Sequence, residues 1–241
     1  MYKVFVFLIG LHWVGMAAEI SDPTFQRILR EHQANFSSAV HPKGYDSVSL
    51  EGVLYKDNAV IDFITDRKRS NKFREIRSEK HLKVTVGYDG ESGWRRKEQA
   101  AGTAVQNYMN KGFDWLQFES HFDNHLLRYL KGEDSIQLTL KDAVELDNKP
   151  MLVVEALDSE GTLTTYYLNP VTKYLERKEL LSADGSYQLK AIYLDYHLVE
   201  GIPFAHRIEV FDRGQMVGYR IYSKIHINPS LYDFFFEKPD F

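Results

Sequence analysis

The chain of 241 residues contains no cysteine. Disulfides, thiolate nucleophiles, zinc–thiolate sites and an N-terminal lipidated cysteine are excluded together. Positive charge is not in excess either: 30 Lys plus Arg stand against 34 Asp plus Glu, a formal net charge of −4. A nucleic-acid binder normally shows a basic face, so the balance argues against that class. No apolar run reaches the ~20 residues that a membrane-spanning helix needs. A nucleophile elbow, a phosphate-cradling glycine loop, a dinucleotide fingerprint and an H-E-x-x-H helix are all missing. No stretch rich in Pro, Gly or Ser divides the chain.

Aromatic residues are abundant, with 15 Tyr, 15 Phe and 3 Trp. Such side chains suit pleated sheets with much apolar surface to cover. The first residues read as an address. Met1-Tyr2-Lys3 is a short basic start, Val4 to Leu11 an apolar run, and Gly15-Met16-Ala17-Ala18 a small-residue cleavage region. Residues 1–18 are therefore expected to be a secretory signal peptide, cut after Ala17 or Ala18. The alternative is a buried first strand, because Val4-Phe5-Val6-Phe7 has β character. The mature part, 19–241, is expected to be one domain, exported without a lipid anchor.

Ser21-Asp22-Pro23 is a helix start, and Phe25, Ile28, Leu29, His32 and Phe36 then share one face. His32 on that stripe reads as a packing residue. From Asp46 the period falls to two, and Lys56-Asp57-Asn58 looks like a hairpin turn. Strands are expected over Ala59–Thr65, Phe73–Glu79, Leu82–Tyr88 and Trp94–Lys97. Residues 99–132 break the pattern: Trp115, Phe118, Phe122, Leu126, Leu127 and Leu130 follow helical spacing, ending near Gly132. After that, turn signals such as Asp147-Asn148, Asn169-Pro170, Glu200-Gly201 and Arg213-Gly214 separate further strands. Many antiparallel strands with tight turns predict a barrel or a strongly curled sheet. His121 and His125 lie four apart on a predicted helix, but a metal needs a third ligand and none is nominated, so both read as surface histidines. No metal, cofactor or catalytic residue is expected.

The order of these parts resembles the LolA-like family of periplasmic lipoprotein carriers and outer-membrane lipoprotein-sorting proteins. The resemblance rests on Ala34-Asn35-Phe36 closing the first helix, Arg67-Lys68-Arg69-Ser70-Asn71-Lys72-Phe73, and Tyr88-Asp89-Gly90 with Gly93-Trp94. It continues in Tyr166-Tyr167-Leu168-Asn169-Pro170, Asp195-Tyr196 with Gly201-Ile202-Pro203-Phe204, and Asn228-Pro229 with Phe234-Phe235-Phe236 and Pro239. It implies a mainly β fold with helices (α+β), a single unclosed antiparallel β-barrel of about eleven strands under an N-terminal helix and a central helical lid. The implied function is non-enzymatic: binding a lipid or lipoprotein acyl chain in an apolar cavity and carrying it towards the outer membrane, as a monomer without cofactors. Inner- and outer-membrane lipoprotein-transport components are the implied partners. Arg69 matches the family's lid-contacting arginine by the Lys68-Arg69-x-Asn71-x-Phe73 pattern, with Arg74 as the other placement. The candidate ligand and lid residues are Arg69, Trp94, Trp115, Phe118 and Phe122. An envelope sensor that binds a protein partner is the alternative function. An enzyme on this fold, the third reading, would need a polar constellation inside the cavity.

Overall fold

The computed structural model describes residues 22–108 and 115–240, so the expected leader over 1–18 lies outside it. Helix α1 (Pro23–Ala34) begins as the sequence predicts. The Asp22 carboxylate accepts the Thr24 N–H at 2.7 Å, and proline fills a first-turn position that needs no donor. Its apolar stripe of Phe25, Ile28, Leu29 and His32 is buried.

Among the described residues the remainder is one antiparallel sheet of thirteen strands against the eleven or so implied by the resemblance. The strands are β1 (Ser47–Lys56), β2 (Ala59–Lys68), β3 (Lys72–Glu79), β4 (Leu82–Tyr88), β5 (Gly93–Gln99), β6 (Gly102–Asn107), β7 (Gln137–Leu146), β8 (Lys149–Leu157), β9 (Leu163–Leu168), β10 (Leu175–Leu181), β11 (Gln188–Val199), β12 (Ile202–Asp212) and β13 (Gln215–Ile227). Strand β6 falls inside the stretch read as helical. It is an edge strand with both faces largely exposed, so its sequence carries no alternation to read. Helices α2 (Trp115–Ser120) and α3 (His125–Leu130) lie in that stretch, separated by the non-helical residues 121–124.

Tight turns set the registers. Asp57-Asn58, Asp147-Asn148, Glu200-Gly201 and Arg213-Gly214 each place two successive residues at positive φ, as two-residue hairpins of the primed type require. Strand β1 pairs with β13, which joins the meanders β1–β6 and β7–β13 side by side. Close approach there demands a glycine: a Cβ on Gly52 would lie 2.0 Å from the Ile221 carbonyl oxygen. The two outermost strands are β6 and β7, and the sheet is not closed between them. Helices α2 and α3 come between these same strands in the chain. The connection between the edges therefore spans the open side, which is where a cover has to be.

The main core lies at one end. Phe25, Ile28 and Leu29 of α1 and Leu126 of α3 pack on Leu138, Val154, Ala156, Tyr166 and Leu168 of β7 to β9. Each such side chain contributes roughly 1.5–3 kcal/mol by leaving water. The convex face of β2 to β5 is covered instead by the C-terminal segment. There the Trp94 indole N–H donates to the Phe236 carbonyl at 2.6 Å, and Lys68 donates to the Leu231 carbonyl at 2.8 Å. Among the described residues no helix is long and apolar enough to cross a membrane.

Candidate functional site: a lidded cavity with a charged floor

Alternation sends Phe63, Thr65 and Arg67 of β2 to the concave face, level with Phe73 and Glu75 of β3. The register of β9, β10 and β11 sets Tyr166, Lys178 and Ala191 side by side on the same face. With α1, α2 and α3 these strands enclose a cavity of about 390 Å³. Phe73, Phe118, Phe122, Leu189, Phe204 and Val210 supply apolar wall, interleaved with tyrosines. The volume sits at the small end of the ~300–1,000 Å³ usual for ligand pockets.

The lid is tied down from the sheet. Arg67 Nη2 donates to the Glu119 carbonyl at 2.7 Å and to the His121 carbonyl at 2.5 Å. Helix α2 ends at Ser120, so these are carbonyls at a helix C-terminus, which lack intrahelical donors. Arg69 reaches the lid differently, pairing with the Asp123 carboxylate and stacking 4.6 Å over the Phe122 ring. Its Nε also lies 3.1 Å from Asp46. Asn124 caps α3 by accepting from the Leu127 N–H at 3.0 Å, and its amide lies 3.0 Å from His32 Nε2. The other His32 nitrogen faces the Lys173 carbonyl at 2.9 Å, so His32 is the satisfied packing residue that the sequence predicts.

His121, in the link between α2 and α3 rather than on a helix, and His125, at the start of α3, both line the cavity, contrary to the surface reading. His125 is only 3% exposed, with Nδ1 2.8 Å from the Tyr166 hydroxyl and Nε2 3.7 Å from Asp158. Burial lowers the pKa of His32, His121 and His125, favouring neutral imidazoles. Burial pushes the Tyr45 and Tyr166 hydroxyls up to about 12, which keeps them protonated donors. No group of three His, Asp or Glu side chains suited to a metal is present among the described residues.

The floor carries charge that the sequence did not announce. Glu75 is 1% exposed. It accepts from Arg220 Nη1 at 2.5 Å, Arg77 Nε at 2.5 Å and the Thr65 hydroxyl at 3.0 Å. Burial alone would raise its carboxyl, but the two guanidiniums outweigh burial and hold it down at about 2. Lys178 lies under the lid 5.4 Å from the Phe118 ring, and its pKa is raised: burial opposes its charge, while Tyr193, Glu119 and Tyr166 favour it. Inward parity was the available signal, since Arg67 shares the phase of Phe63, and Glu75 that of Phe73.

Of the sequence-predicted site residues, the structure brings Phe118 and Phe122 to the cavity and puts Arg69 at the edge of the lid, against Phe122. Trp115 opens α2, but its side chain lies outside the described residues. Trp94 is not brought there. It pairs with Gly87 on the convex face, and a Cβ on Gly87 would lie 2.4 Å from its ring. Arg74 also faces away, its guanidinium on Asp66 and 4.9 Å over the Phe235 ring. The guanidinium on the helix-end carbonyls belongs to Arg67.

No family model matches the sequence, and no curated protein does. Solved structures do match. An outer membrane lipoprotein-sorting protein domain from Vibrio parahaemolyticus superposes with a TM-score of 0.61 at 10% identity, over 87% of this chain and 94% of that one. The chain has a LolA-like fold. A LolA superfamily protein from Nitrosomonas europaea gives a TM-score of 0.59 at 13% identity, over 88% of this chain and 97% of that one. A DUF1329 family protein from Desulfovibrio piger gives 0.59 at 13% identity, over 88% and 95%. Identities this low carry the LolA-like architecture across, not the side chains of the cavity.

Proposed function

We propose that this protein binds an acyl chain of a lipid or lipoprotein in the cavity beneath α2 and α3 and carries it through the periplasm towards the outer membrane. The observation that carries the reading is the cover itself: a short helix whose end carbonyls rest on a guanidinium from the sheet, above an aromatic-walled space. Opening such a cover costs a few hydrogen bonds, and each CH₂ that then leaves water returns about 0.8 kcal/mol. The protein acts as a monomeric carrier and not as a catalyst. Glu75, doubly paired and ionised down to about pH 2, is too weak a base for proton abstraction near neutral pH. The leader expected over 1–18 supports export, and lipoprotein-transport components of the inner and outer membranes are the proposed donor and acceptor. Native mass spectrometry of protein purified without detergent tests the reading. A population carrying the mass of a bound lipid is expected; protein that is empty and takes up no added lipid overturns it.

A further inference from the structure

Lys178 makes no hydrogen bond or ion pair among the described residues, although it lines the cavity beneath the lid. Its electrostatic neighbours are Tyr193, Tyr166, Glu119 and Arg67; Glu119 attracts it from beyond ion-pair distance, and Arg67 repels it. Arg67 Nε is itself buried without an acceptor, because both lid carbonyls are taken by Nη2. Glu75, the carboxylate of the floor, is already engaged by Arg220, Arg77 and Thr65. Two cations with open donors therefore face one small cavity, whereas buried ammonium groups are ordinarily paired.

We infer that the cavity takes a single-chain amphiphile with an anionic head, a carboxylate or a phosphate, and that Lys178 receives that head with Arg67 beside it and the hydroxyl of Tyr193 as a further donor. The hydrocarbon chain then runs along Phe73, Phe118 and Phe122. This rests on the lipid-binding reading above and narrows it. A lipidated polypeptide keeps its polar part outside the mouth and would leave Lys178 facing hydrocarbon, which an ammonium does not tolerate. Charge-assisted bonds to such a head are short and about twice as strong as neutral ones.

The test is calorimetric titration of the delipidated protein with oleate, oleoyl lysophosphatidate and oleyl alcohol. Oleate or lysophosphatidate is expected to bind at least about tenfold tighter than the alcohol. The tighter of the two names the head as carboxylate or phosphate. Lys178→Met should remove that preference while keeping alcohol binding, which also shows that the variant is folded, and Lys178→Arg should retain the preference. Equal binding of all three ligands to the native protein overturns the inference and leaves the lipid-binding reading standing. So does a preference that survives Lys178→Met. Failure of every ligand to bind removes both.

Discussion

Strands β2 and β3 bury one carboxylate on each face, and the two are built for different ends. On the convex side Asp66, 2% exposed, accepts from Arg74 Nη2 at 2.5 Å and from the Ser49 hydroxyl at 2.6 Å. Arg74 is sealed in turn by Phe235 of the C-terminal segment. On the concave side Glu75 draws in Arg220 from β13, 145 positions away in the chain, and Arg77 from its own strand. The convex pair lies under covalently attached chain, where Arg74 and Phe235 also border an open surface pocket of about 420 Å³. The concave set borders empty volume, and further charge lies around it in Arg67 and Lys178. The two sets differ in their cover: the C-terminal segment lies over Asp66 and Arg74, and helices α2 and α3 lie over the cavity beside Glu75.

Removing the carboxylates should separate the two sides most strongly. Glu75→Ala leaves the Arg220 guanidinium beside the cavity, and the partly exposed Arg77, without their partner, and breaking a buried pair costs about 3–5 kcal/mol. Asp66→Ala strands one guanidinium that remains near the Phe235 carbonyl and the protein surface, so a loss of about 1–3 kcal/mol is expected. Urea unfolding of both variants measures the difference. Equal losses would mean that the floor and the strap are equivalent structural pairs.

Acid titration sharpens the same contrast. The Glu75 carboxyl titrates at about 2 in the folded protein, against 4.5 for the free group. A depressed folded value means that its stabilising contribution is fully present above about pH 4.5 and is lost as the pH falls towards 2. Glu75→Gln should abolish that component: its unfolding free energy should fall less steeply between those limits than that of the native protein. Parallel curves would remove Glu75 from the account of acid stability.

Much of the scaffold is legible in the sequence, because local chemistry settles it. Asp22-Pro23 caps and starts α1, Asp57-Asn58 has the left-handed tolerance that its turn demands, and Phe118 and Phe122 announce a helical segment that must cover something. The unread parts depend on phase and on distance along the chain. Three basic residues in a row, Arg67-Lys68-Arg69, do not reveal which one points inward; β2 ends at Lys68, so Arg69 belongs to the turn and Arg67 to the concave row. Trp94 could be assigned to the cavity by motif, yet only the register of β5 on Gly87 shows that it faces outward. The Glu75–Arg220 pair exists only because β1 joins β13, a contact that no local pattern encodes. Lys178 reaches the same space through the other meander.

The smallest expected effects concern the two lid arginines, and they compare a bond to backbone with a bond to a side chain. The resemblance nominated Arg69, but Arg67 is the residue on the Glu119 and His121 carbonyls. On the proposed carrier function these bonds hold the lid shut while the cavity is empty, and an entering chain has to break them. Arg67→Leu should therefore favour the open, loaded form and slow release of a neutral chain such as oleyl alcohol by about tenfold, since each charge-assisted bond is worth about 1.5–3 kcal/mol. A neutral probe keeps the cation's own attraction for a head group out of the comparison. Arg69 is different because its partner has a substitute: Asp123 also accepts from Lys131 at 2.5 Å, and the Arg69 side chain is one-third exposed. Pairs of that kind are worth roughly 0–1 kcal/mol, so Arg69→Leu should change the release rate by about fivefold at most. Stopped-flow release from both variants decides it. A larger effect at Arg69 than at Arg67 would show that the Asp123 pair and the Phe122 stack, rather than the helix-end carbonyls, hold the cover in place.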